Sequence, residues 1–289
     1  HKELFDHAVA ISNGRPFDYE LSLDETPDPT IPSHLFFYML LLHEVMGLPW
    51  GRVASAGPNI GFIKRHDYEG DVQRELWPQV NACASILQHF DAMLSVHSAD
   101  GVRAITGKGP GVDAVLRAAG GGVAELKVAD VYQEVLWQVL AASPEAMERE
   151  LFGEAWRRTC EAGRMLAALY QSELAGKETP AVQRLLASDE GQSRITQTHG
   201  EAALRLAQGV VGYGLPVFRL AAELWPATDV TRPDPDQELF RRFMFLTFRS
   251  LRPALFQTMT PDGWRRLAAA IAEATMIRLR EMGWAAESA

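Results

Sequence analysis

The chain has 289 residues, 47% of them apolar, which is enough for a sizeable core and for one or two domains. Its formal net charge of −9 gives it no electrostatic reason to bind nucleic-acid backbones, and its longest strongly apolar run, 35–42, is too short to span a bilayer. No secretory signal opens the sequence, and Cys83 and Cys160 stand at no metal or redox spacing, so they read as packed, reduced thiols of a cytoplasmic protein.

Residues 17–23 have the period-two alternation of a strand and end on Asp24-Glu25. A proline-rich turn over 26–32 leads to a predicted helix over 33–46, with Gly47 suited to its C-terminal cap. A second short strand is predicted over 52–56, closed by Gly57-Pro58, and a helical stretch over 68–90 follows. The third strand, 92–96, ends on His97-Ser98. A helix over 111–119, a fourth strand over 123–127 and a helix over 131–142 complete the first half. Strands separated by helices at intervals of about 30 to 40 residues indicate βαβ units and a parallel sheet.

From Ser143 onward the pattern is helical, over 144–175, 180–188, 193–224, 236–255 and 261–285. Ser143-Pro144-Glu145 and Thr260-Pro261-Asp262 each place proline where a helix begins, and 229–237 is a Pro/Asp-rich linker. The fold expected is α/β: a partial or compact TIM-barrel-like (β/α) unit with parallel strands over 1–142, then a largely helical region over 143–289 that packs on it.

All four predicted strands stop at residues that are costly to bury and able to do chemistry. These are Asp24 and Glu25; Asn59 with Lys64 and Asp67; His97 and Ser98; and Lys127. In parallel α/β folds the loops at the carboxyl ends of the strands converge on one mouth, so polar residues at four successive ends form a pattern. Each also has a structural reading: Asp24-Glu25 as a strand stop and helix cap, His97-Ser98 as a turn, Lys127 as a snorkelling lysine, and 64–67 as a solvated charge cluster. No phosphate loop, nucleophile elbow or zinc-helix motif is present, and the glycines at 120–122 lack the residues that would make them a nucleotide cradle.

At these same strand ends the sequence resembles the tagaturonate/fructuronate epimerase family, which includes enzymes acting as tagatose 4-epimerases. Phe17-Asp-Tyr-Glu-Leu-Ser-Leu-Asp-Glu-Thr26, with Pro29-Thr30 and His34, is similar to that family's strand ending in Val-Asp-Glu-Thr. Gly57-Pro-Asn-Ile-Gly61 with Lys64 and Asp67-Tyr-Glu-Gly-Asp71 is similar to its Ala-Pro-Arg-Phe-x-Gly and Lys-Gly-x-Asp-Tyr-x-Gly-Asp segment. Leu94-Ser-Val-His-Ser98 matches its Ser-x-His-Ser-Gly strand end, and Lys127-Val-Ala-Asp-Val-Tyr-Gln-Glu134 resembles its Lys-Thr-Ala-Gly-Thr-x-Tyr-Leu-Glu run.

The resemblance implies a metal-dependent barrel enzyme that inverts C4 of a ketohexuronate or ketohexose. It makes Glu25, beside Asp24, the acid/base carboxylate. It makes His97 and Glu25 ligands of a divalent cation, zinc or manganese, and sets Lys64, Asn59, Asp67, Ser98 and Lys127 around the sugar acid. A small-molecule sugar acid or ketose is the expected partner, with neither nucleic acid nor membrane, in a possible homo-oligomer. Several positions depart from the family. Asn59 replaces an arginine, Ala99-Asp100-Gly101-Val102 replaces Gly-Ser-Asp-Lys, and a later histidine falls at Thr196 with His199 offset. Family members are also longer at the amino end, where only Asp6-His7 stands for an early Asp-His pair, and the chain opens on His1. Three readings follow: a working epimerase, a non-catalytic relative that keeps a sugar-acid-binding scaffold, and a truncated piece of a longer enzyme.

Overall fold

The computed structural model describes residues 1–26, 28–119, 123–128 and 131–285. The glycine triplet at 120–122 and the pair at 129–130, within the last of the resembling runs, lie outside the described residues. The described chain is mixed α/β, with a four-stranded parallel sheet and a mostly helical remainder. It divides into two compact units: His1–Val131 together with the chain from Ile271 on, and Tyr132–Ala270.

The first unit opens with a helix that the sequence reading did not anticipate, α1 (Lys2–Ser12), ended by Asn13 in the left-handed conformation. Its buried Phe5 packs edge-on against Tyr19 with ring centroids 5.3 Å apart. Then come β1 (Glu20–Leu23), α2 (Pro32–Leu40), β2 (Ser55–Pro58), α3 (Trp77–His89), β3 (Met93–Val96), α4 (Val112–Ala118) and β4 (Val123–Leu126); α5 (Val131–Ala141) begins the second unit. Asp71 caps the turn that leads into α3, its carboxylate accepting the amides of Gln73 at 2.9 Å and Arg74 at 3.0 Å.

The strands lie in the order β1-β2-β3-β4, all pairs parallel. Register sets Ser22 beside Gly57 and Ser95 beside Glu125. Because side chains alternate across a strand, Leu21, Ala56, Leu94 and Val96 fall on the opposite face. There they enter a core shared with Leu35 and Met39 of α2, Cys83 and Leu87 of α3, and Val115 of α4. Met282, from the chain after Ile271, joins the same core. The irregularity between Leu94 and Ser95 lets β4 keep both Glu125 and Leu126 in step with their faces.

The second unit is helical. Its centre is α6 (Ala146–Leu169), followed by α7 (Thr179–Ala187), α8 (Asp189–His199), α9 (Glu201–Val210), α10 (Leu215–Leu224), α11 (Glu238–Phe243) and α12 (Phe245–Thr258); α9 to α12 all pack on α6. The last helix among the described residues, α13 (Pro261–Glu281), begins in this unit and runs past Ile271. Phe240 sits among Phe152, Trp156 and Trp137, with centroids 5.4, 5.7 and 6.1 Å away. Glu148 on α6 is fully buried. Its carboxylate accepts from Ser143 Oγ at 2.6 Å and from Thr260 N and Oγ1 at 2.9 and 2.8 Å, and it pairs with Arg266 at 2.5 Å. Burial alone would push the Glu148 carboxyl up. The hydrogen bonds from Ser143 and Thr260 and the Arg266 charge overcome it and hold the group below the usual range.

Candidate active site at the carboxyl ends of the strands

The face of the sheet turned away from the core is polar. Glu20 and Ser22 on β1, Ser55 on β2, Ser95 on β3 and Glu125 on β4 occupy the positions that alternate with the apolar ones. The alternation continues past the strand ends to Asp24, Asn59, His97 and Lys127.

His97 is the centre of this face. It is buried, at 6% exposure, immediately after β3. Its Nε2 lies 2.5 Å from Oε1 of Glu20, and its Nδ1 lies 2.8 Å from Oδ1 of Asp24. An ionised carboxylate can only accept, so in the hydrogen bond to Glu20 the Nε2 of His97 is the donor. The supporting contacts are short-range. Ser22 Oγ donates to Asp24 at 3.0 Å, and Ser95 Oγ donates to Glu20 at 3.1 Å and lies 3.4 Å from Glu125 Oε2. Gly57 makes room for the imidazole: a Cβ there would stand 2.7 Å from Nε2 and 2.9 Å from Cδ2. Glycine at this point is a requirement of the close approach between β2 and the ring.

The structure brings two of the sequence-predicted residues, Asp24 and His97, into contact. Glu25 is exposed one residue further on, and Glu20 is the carboxylate that stands against Nε2. Asn59 ties two loops together: its Nδ2 donates to the Thr26 carbonyl at 2.9 Å, and its Oδ1 accepts from Gly61 N at 2.8 Å. Lys64 and Asp67 are exposed on the loop after β2, where the Asp67 side chain borders Gly101 and Gly109 of the loop after β3. Ser98 is half-buried with φ 53°, a left-handed conformation that turns the chain away from β3. Lys127 is exposed; its main-chain amide donates to Val96 O at 2.9 Å and its carbonyl accepts from Ala99 N at 3.1 Å, so its backbone closes the β3–β4 mouth.

Glu20, Ser95, Glu125 and Gly57 belong to this group around His97, and a strand-end reading misses them. The signal for them is the same period of two: Asp18, Glu20, Ser22 and Asp24 alternate with Phe17, Tyr19, Leu21 and Leu23. The resemblance implies a divalent metal ion at this face. Both nitrogens of His97 face carboxylates, and among the described residues no group of three or more His, Cys, Asp or Glu is placed to hold one. What the group can do is hold an imidazole rigidly between two carboxylates at the edge of a half-buried polar surface, and exchange protons with a bound hydroxyl.

Residues 1–102 match the tagaturonate epimerase family, UxaE. The resemblance seen at the strand ends is borne out over that stretch, which holds Glu20, Asp24, Gly57, Ser95 and His97. No curated protein matches the chain. Among solved structures, the native fructuronate-tagaturonate epimerase UxaE from Cohnella laeviribosi aligns at a TM-score of 0.48 and 20% identity, over 98% of this chain and 49% of that one. Its one-glycerol complex aligns at a TM-score of 0.45 and 18% identity, over 98% and 50%. The chain thus spans about half the length of the solved relatives it matches. Among the described residues, no helix is long and apolar enough to cross a membrane.

Proposed function

We propose that this chain is a hexuronate epimerase, or the epimerase portion of one, that inverts C4 of a ketohexuronate such as tagaturonate. The observation that carries the reading is the coincidence of the family match over residues 1–102 with the Glu20–His97–Asp24 group inside it. In this reading the four-stranded sheet is barrel-type, and the sugar acid lies across its polar face.

C4 is not adjacent to the C2 ketone, so simple enolisation cannot invert it. A route consistent with the residues present breaks and remakes the C3–C4 bond. A carboxylate, Asp24 or Glu20, takes the C4 hydroxyl proton. The C3–C4 electron pair moves onto C3 and into the C2 carbonyl, giving an aldehyde at C4 and an enolate over C2 and C3. The aldehyde turns its other face, the bond re-forms, and the proton returns to the C4 oxygen. His97, hydrogen-bonded to Glu20 and in contact with Asp24, keeps both carboxylates placed. Lys64 and Lys127, on loops at the same end of the sheet, supply positive charge for the substrate carboxylate.

The test is an assay of tagaturonate and fructuronate interconversion with added manganese or zinc, the cations that the resemblance implies; no step above requires one. Turnover that is lost in His97→Ala and Glu20→Gln supports the proposal. Turnover that survives both would place the chemistry elsewhere. A second reading, a scaffold that binds a sugar acid without converting it, is favoured by the family match ending at residue 102 of 289. Hexuronate binding by calorimetry without turnover would select it.

A further inference from the structure

We infer that Lys108 is a positioning residue, whose buried ammonium holds the loop that presents Lys64 and Asp67 at the carboxyl end of the sheet. Lys108 is 1% exposed, and a buried ammonium is costly unless its donors are met. Here its Nζ donates to the main-chain carbonyls of Ile63 and of His66, the latter at 2.8 Å. It also lies over the Phe62 ring, 5.4 Å from the centroid, where the face of the π-system attracts a cation. The backbone of the same residue adds a third tie, its carbonyl accepting from Tyr68 N at 2.8 Å.

The tied carbonyls flank Lys64 and Arg65, and the tied amide follows Asp67. The chain from Phe62 to Tyr68 therefore wraps one cation supplied by the loop after β3. This loop has no helix or strand of its own, and Arg65 sits in the left-handed region at φ 61°. A non-glycine residue stays there only where its surroundings over-determine it. The ammonium contributes to that determination: it gives the His66 carbonyl a charged donor and adds one to the Ile63 carbonyl, which also accepts from His66 N at 3.2 Å. The functional half of the inference rests on the epimerase reading, which sets Lys64 and Asp67 beside the substrate.

The test compares wild type with Lys108→Met by limited trypsinolysis, identifying fragments by mass, and by steady-state kinetics on tagaturonate. Cleavage after Lys64 and Arg65 is expected to rise tenfold or more while the thermal midpoint of the remaining protein changes little. KM is expected to rise about tenfold with kcat within twofold, and Lys108→Arg to restore most of both. A merely structural lysine would lower stability without that split between KM and kcat. Wild-type cleavage in Lys108→Met overturns the inference, and increased cleavage with unchanged KM overturns its functional half. If Lys108→Met does not fold, Lys108→Gln, which lacks the charge and is too short to reach both carbonyls as Nζ does, and Phe62→Leu report on the same loop; unchanged cleavage in both overturns it. If the wild type itself shows no turnover, the epimerase reading fails, and the cleavage result still decides whether Lys108 holds the loop.

Discussion

Gly57→Ala is the sharpest perturbation of the candidate site, because it changes one methyl group and touches one ring. The added Cβ would stand 2.7, 2.9 and 3.0 Å from Nε2, Cδ2 and Cε1 of His97. Ordinary contact is 3.4 Å or more, so the imidazole must retreat by about 0.7 Å, or β2 must move. The ring has little freedom to do so. It is buried and held at 2.5 Å by Glu20 and at 2.8 Å by Asp24, and a retreat from β2 stretches or breaks at least one of these contacts. Overpacking of this kind costs about 1–3 kcal/mol of stability. A misplacement approaching 1 Å in a positioned group costs on the order of 100-fold in rate. The expected outcome is a folded protein with a modestly lowered melting temperature, shifted His97 ring resonances, and turnover reduced about 100-fold. The ring resonances make the result independent of whether the substrate is correctly assigned. A Gly57→Ala protein with wild-type His97 resonances and wild-type turnover would refute the claim that glycine is there for the imidazole.

Three further outcomes follow from the same contacts. Asp24→Asn and Glu20→Gln each keep the shape of the site and remove a charge, so both should fold normally and lose most turnover, whereas Glu25→Gln, at an exposed residue one position beyond the carboxylate that touches His97, should lose less; equal losses in kinetic assays would return Glu25 to the centre of the site. Glu148, held below the usual carboxylate range, contributes stability that is fully present above the ordinary glutamate value of about 4.3 and is lost as pH falls through its lower folded value. Glu148→Gln should therefore lower stability by roughly 2–3 kcal/mol at neutral pH and flatten the acid limb of the melting curve; an unchanged acid limb would contradict the assignment. Burial pushes the Cys83 thiol up to about 12 and the Cys160 thiol up to about 11, so neither should react with a disulfide reagent at pH 8 until the protein unfolds, and rapid labelling of the native protein would show that the packing around that cysteine is misread.

Much of the first unit is legible in the sequence because its strands are short apolar runs between turn residues. The third and fourth strands fall within one residue of their expected ends. The second lies at Ser55–Pro58 rather than 52–56, since Gly57 and Pro58, read as a turn, belong to the strand itself and pair with Ser22 and Leu23. Pro58, which has no N–H to donate, is the last residue of the strand. The expected helix over 193–224 is three helices, broken at Gly200 with φ 87° and Gly214 with φ 73°, conformations a helix cannot hold. Apolar periodicity runs through both breaks, so it alone does not reveal them. Both cysteines are free and buried, as their spacing implied. At the site, the strand ends point to Asp24 and His97, while Glu20, Ser95 and Glu125 lie earlier along the strands, where polar residues are easily read as solvent-facing.

The alternation in β1 carries more than the location of one glutamate. Parallel strands are usually buried on both faces and read as nearly continuous apolar runs. Here Leu21 and Leu23 alternate with Glu20, Ser22 and Asp24, and the same division holds in β3, where Leu94 and Val96 alternate with Ser95 and His97. A slip of one residue in the β1–β2 register would send Glu20 and Asp24 into the face occupied by Leu35, Met39 and Leu87, and expose Leu21. The cost of burying two carboxylates without partners forbids it. The apolar half of the pattern therefore fixes the register, and the register in turn fixes Glu20 and Asp24 on either side of His97. The geometry of the site is set by the packing of the opposite face, so a substitution such as Leu21→Ala, remote from any substrate, should loosen the Glu20–His97 contact as well as the core.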